Sequence, residues 1–128
     1  MSSSDFSQAV IDLIRRCTPT FAAVELLVFL QMEGERNWSA EELLERLKPR
    51  GFTLTSIEES LRKFERCSLV EADGEGRIRF GPSAEMDSPV KLLVAAYHER
   101  PVSLIRVIYA VADDHIQSFA DSFRLKPE

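Results

Sequence analysis

The feature that most restricts how this chain can fold is a glycine-bearing reversal set directly behind an amphipathic helix. Leu69-Val70-Glu71-Ala72 is followed by Asp73-Gly74-Glu75-Gly76 and then by Arg77-Ile78-Arg79-Phe80. Asp-Gly and a second Gly supply the positive φ of a tight turn, and Ile78 and Phe80 alternate with Arg77 and Arg79 at the strand period of two. A β-hairpin is therefore predicted over residues 69–80, with both apolar side chains facing a core and both arginines facing away from it. Just upstream, Leu54, Ile57, Leu61 and Phe64 recur at spacings of three, four and three. That is one apolar stripe of a helix. Its opposite face carries Ser56, Glu59, Ser60, Arg62, Lys63 and Arg66, and Thr55 with Glu58 predicts a capping box at its start.

Earlier in the chain, Ser39 and Glu42 predict a second capping box, opening a helix through Leu43, Leu44 and Leu47 that Pro49 and Gly51 terminate. Residues 21–32 are apolar nearly all round, so a helix there must be buried on most sides. Thr18-Pro19 is expected to open it, with Pro at the first position, where its missing N–H costs nothing. At about a dozen residues and with Glu25 inside, it falls short of the roughly 20 apolar residues of a membrane span. Trp38 is expected to form a short third strand packed beneath the hairpin.

Flanking segments are also helical in pattern. Asp5 with Gln8 opens a first helix carrying Val10, Ile11, Leu13 and Ile14, with Arg15 and Arg16 in a last turn that suits the helix dipole. Residues 81–88 read as a connector. Ser88-Pro89 then opens a helix with Val90, Leu92, Leu93, Ala96 and Tyr97, which Arg100-Pro101 interrupts. A further helix carries Val102, Leu104, Ile105, Val107, Ile108 and Val111, and Asp113-Asp114 is expected to start a last one. This terminal region has more apolar surface than a small module needs, so it is expected both to complete the core and to supply a dimer interface.

A short helix, a sharp break, a longer amphipathic helix and an adjoining hairpin resemble the winged helix-turn-helix superfamily, including small bacterial MarR-like and ArsR-like regulators. The resemblance covers roughly a third of the chain plus the preceding helix, and rests on element order. It implies a mainly α fold with a small β-hairpin, in a single domain over residues 1–128. Residues 18–81 would be the winged-helix core and residues 88–126 the added C-terminal helices, beside an extra N-terminal one. By the same resemblance, residues 56–67 would be the recognition helix and residues 69–80 the wing of a DNA-binding transcriptional regulator. Double-stranded DNA would then be touched by Ser56, Ser60, Arg62, Lys63, Arg66, Arg77 and Arg79, and a homodimer would form through the C-terminal helices. The alternative is a winged-helix protein-protein interaction module without DNA binding.

Charge bears on that choice. The chain holds 16 basic and 21 acidic residues, a net charge of −5, and residues 35–81 hold 9 basic and 10 acidic. A dedicated nucleic-acid binder carries a basic patch. Glu58, Glu59 and Glu65 stand on the same helix as the candidate cations, and Asp73 and Glu75 at the hairpin tip.

No catalytic or cofactor motif is present: phosphate-binding glycine loops, HExxH, GxSxG and paired cysteine ligands are all missing, and an enzyme is not expected. Asp113-Asp114-His115 has metal-ligand residue types, but acids at a helix start explain it more simply, so no metal or cofactor is predicted. Cys17 and Cys67 stand far apart without CxxC spacing and read as partly buried free thiols of a reducing compartment. Ser2-Ser3-Ser4-Asp5 lacks the basic and apolar stretches of an export signal. A cytoplasmic protein without a membrane span is expected.

Overall fold

Hydroxyl side chains placed ahead of apolar runs start the first four helices. A computed structural model describes the backbone of residues 6–125 and the side chains of residues 6–113. Helix α1 (Gln8–Arg16) is capped by Ser7, which accepts from the Val10 N–H at 3.3 Å, and α2 (Phe21–Glu33) by Thr20, which accepts from Ala23 at 3.1 Å. The expected Thr18-Pro19 start is displaced because the Thr18 N–H still closes α1 onto Leu13 and Ile14. Thr18 is fully buried, and its hydroxyl has no hydrogen-bond partner among the described residues. Asp5, expected to open α1, lies outside the described residues.

Helix α3 (Ala40–Leu47) carries the predicted Ser39–Glu42 capping box, and a 3-10 turn over Lys48–Arg50 leads to Gly51 at φ 90°. Helix α4 (Leu54–Arg66) begins two residues earlier than Thr55 would have it. Its box joins Thr53 and Ser56, because Leu54 belongs to the apolar stripe and must lie inside the helix. At its far end Ser68 takes φ 62°, while the Ser68 N–H donates to the Glu65 carbonyl and Leu69 to Phe64. This pair of hydrogen bonds is a Schellman closure, which turns the chain sharply into the hairpin.

The sheet has β1 (Asn37–Trp38), β2 (Val70–Ala72) and β3 (Ile78–Phe80) in the order β1-β3-β2, all antiparallel. Trp38 and Ala72 both pair with Ile78, so the tryptophan strand and hairpin predicted from sequence form one sheet. Gly74 and Gly76, at φ 82° and 84°, make the reversal.

Two boundaries in the C-terminal part differ from expectation. Helix α5 (Ala84–Glu99) starts at Ser83, whose carbonyl accepts from Met86 and Asp87, so Ser88-Pro89 falls within it. Glu85 and Asp87 in its first turn complement the dipole, which offsets the loss of one N–H at Pro89. Arg100-Pro101 does break the chain, but α6 (Pro101–Leu125) then runs on without interruption through Asp113-Asp114. No Pro or Gly stands between the two predicted segments, and acids alone do not end a helix.

One apolar cluster draws residues from all six helices and the sheet, with Ile14, Val24, Leu27, Leu30, Leu43, Ile57, Phe64 and Leu93 fully enclosed. Truncating such a side chain as Phe64 costs roughly 3–5 kcal/mol. The molecule is thus mainly helical with a small three-stranded sheet. Among the described residues, no helix is long and apolar enough to cross a membrane.

The cysteines correct the sequence expectation. Cys17, the C-cap of α1, and Cys67, the C-cap of α4, form a disulfide with Cα atoms 6.3 Å apart. That separation suits the bond, and only the packing of α1 beside the end of α4 creates it.

Candidate functional site

The sequence places seven candidate contact residues on α4 and the hairpin, and the structure engages three of them, Ser56, Arg77 and Arg79, with the protein itself. Ser56 is the reciprocal partner of Thr53: each backbone N–H donates to the other's hydroxyl at 3.1 Å, and Ser56 Oγ donates to the Thr53 carbonyl at 2.9 Å. Ser60 and Lys63 line, with Glu59 and Ser56, a groove of about 160 Å³ against the start of α2 at Thr20 and Ala23. They face a neighbouring helix and are half-buried.

Both hairpin arginines point away from the core, as predicted, and both meet a carboxylate. Arg77 Nη1 donates to Glu42 Oε1 at 3.0 Å, and Arg79 Nη2 to Glu71 Oε1 at 3.1 Å. Glu42 Oε1 also accepts from the Ser39 N–H at 3.0 Å, so one carboxylate caps α3 and holds the hairpin. That backbone N–H first, then Arg77 and Arg36, keeps the Glu42 carboxyl below its ordinary value of 4.5. Each pair is exposed, so solvent screens it and it contributes little to stability. Their effect is on the electrostatics of the face.

The hairpin tip is organised by Asp73. Its carboxylate accepts from the Glu75 N–H at 2.8 Å, from the Arg77 N–H at 3.2 Å and from Asn37 Nδ2 at 3.2 Å. The Glu75 N–H, ahead of Arg77 and Asn37, draws the Asp73 carboxyl below its ordinary 3.8. This acid is a component of the turn, so it cannot be exchanged for a cation without loosening the loop.

Arg62 and Arg66 remain, exposed on α4 and without an ion-pair partner among the described residues. Beside them on the outward side stand Glu58, Glu59 and Glu65, also exposed. The face is mixed in charge rather than basic. Comparison with protein-family models, curated proteins and solved structures finds no match.

Trp38 stands where the sequence puts it, packed beneath the hairpin, whereas the contact of Tyr97 with Glu25 was hidden from sequence reasoning. Trp38 is buried under the sheet with the Arg36 guanidinium 4.0 Å above its ring and Phe29 5.4 Å from it, a packing role. Tyr97 stacks on Phe21 at 5.7 Å and donates its hydroxyl to Glu25 Oε2 at 3.3 Å, joining α5 to α2. Glu25 interrupts an apolar helix, and that was the available signal. No group of His, Cys, Asp and Glu among the described residues is placed to hold a metal ion.

Proposed function

We propose that this chain is a winged-helix module that docks a partner protein on the outward face of α4 and the adjoining hairpin. Support for the winged-helix reading comes from the element order α2-β1-α3-α4-β2-β3 and the sheet order β1-β3-β2. The observation that carries the protein-binding reading is the pairing of Arg77 with Glu42 and of Arg79 with Glu71. It leaves a surface where Arg62 and Arg66 alternate with Glu58, Glu59 and Glu65. Interspersed charges of both signs complement another protein better than a polyanion. Two copies joined through their C-terminal helices would present this face twice.

DNA-binding transcriptional regulation is the second reading, favoured by one observation: α4 packs on α2, α3 and β2 and leaves Arg62 and Arg66 in solvent. With Lys63 they allow at most three phosphate contacts per copy, a log–log salt slope of about −3 and weak binding.

Titration of labelled random duplex DNA at low salt separates the two. The protein-docking reading expects no binding at tens of micromolar chain. It also expects photo-crosslinking from position 62 in cells to give a defined protein adduct that E58R/E59R abolishes. Duplex binding at low micromolar concentration that R62E/R66E removes would overturn it in favour of DNA.

A further inference from the structure

Along α6, the side facing the core is Leu104, Val107, Ile108 and Val111, all buried. The opposite side carries Val102, Arg106, Tyr109, Ala110 and Asp113, all exposed. Val102 is 61% and Tyr109 71% exposed, among the most exposed large apolar side chains of the described residues. Arg106 and Asp113 are two turns apart, about 10 Å along the axis, with Tyr109 and Ala110 midway between them. Arg106, Tyr109, Ala110 and Asp113 together border one shallow concavity.

We infer that this face of α6 docks a second copy of the chain in antiparallel register about a two-fold axis between Tyr109 and Ala110. Arg106 of each copy then lies against Asp113 of the partner subunit. The inference rests on the reading that two copies pair through their C-terminal helices, and specifies the geometry of that pairing.

The charge pattern selects the arrangement. Turning a helix end for end about the midpoint of residues 109 and 110 exchanges position 106 with position 113, so cation meets anion twice in an isologous contact. A parallel, in-register pair would set Arg106 against Arg106 and Asp113 against Asp113, which like-charge repulsion disfavours. Size selects the same register, because each large Tyr109 ring falls over the small Ala110 of the partner subunit. Desolvation of the two Tyr109 rings supplies the attraction, and the charges choose the alignment. A groove of about 310 Å³ between α6 and the start of α2, with Phe21, Ile105 and Ile108 in its walls, extends the apolar area sideways from Tyr109.

Sedimentation equilibrium of the full chain, with circular dichroism to verify folding, tests this with R106E, D113R and the double exchange R106E/D113R. All these positions are exposed, so the variants should fold. The expected result is a dimer whose dissociation constant rises about tenfold in each single reversal and returns to within about threefold in the double exchange. Tyr109→Ala should weaken it as well, while R62E/R66E on α4 should leave it unchanged. A chain that is monomeric at several hundred micromolar would overturn both the pairing of copies and this register. A dimer indifferent to R106E and D113R would overturn the register alone. A dimer lost in R62E/R66E would move the interface to α4 and overturn the inference.

Discussion

Cys17 and Cys67 bridge the C-terminal ends of α1 and α4 across 50 residues of sequence. Helix α1 packs on α5 and α6, whereas α4 packs on α2, α3 and β2. The bond therefore ties the terminal helices to the proposed docking helix. Closing a loop of this length removes unfolded-chain entropy equivalent to about 4 kcal/mol. Denaturant unfolding of the oxidised chain should show that margin over C17S/C67S, and excess dithiol should erase it. Equal midpoints with and without reductant would contradict it.

Ser68 holds φ 62° in the closure that ends α4. A residue with a Cβ is strained there, and glycine is not. S68G should raise stability by about 1 kcal/mol, while S68V should lower it by at least as much. Thermal unfolding of the three chains measures both differences.

Asp73 contributes through its ionised form. Its folded-state carboxyl titrates below the ordinary 3.8, so the stabilisation is present above that pH and is lost as pH falls through the depressed value. Amide resonances of Glu75 and Arg77, whose N–H groups it accepts from, should shift together in that acidic window. In D73N, that titration should vanish.

At the alkaline end, Tyr97 titrates above its ordinary 10.0, because burial and then Glu25 disfavour the phenolate. The sign is opposite to that of Asp73: stability is intact below pH 10 and falls as pH rises through the elevated folded value. Y97F should flatten the decline of unfolding free energy above pH 10. At neutral pH it should cost about 1 kcal/mol for the lost hydrogen bond to Glu25.

Glu42 and Glu71 neutralise the hairpin arginines, so removing their charges should change what the face binds. E42Q/E71Q keeps a side chain able to complete the α3 capping box but releases Arg77 and Arg79. Duplex DNA affinity at low salt should rise about tenfold or more, with a log–log salt slope steeper by about 2 per copy. Unchanged affinity would mean that these carboxylates do not set the electrostatics of the face.

The elements themselves were legible in the residues. The Ser39–Glu42 box, the stripe of Leu54, Ile57, Leu61 and Phe64, and the Asp73–Gly76 reversal encode local conformation through contacts a few positions apart, and each stands where predicted. Short-range rules became ambiguous where two starts competed. Thr18 and Thr20 both offer a cap, as do Thr53 and Thr55, and packing of α1 or of Leu54 chose between them.

What the sequence alone determined is the helices ahead of the hairpin, the hairpin itself and the alternation that turns Arg77 and Arg79 outward, because side-chain direction follows the backbone period. Tertiary structure decided which charges remain available. Arg79 faces Glu71 through the hairpin register alone, but Arg77 meets Glu42 across 35 positions and Cys17 reaches Cys67 across 50. Those long-range pairings depend on how whole elements pack, and no local periodicity encodes them.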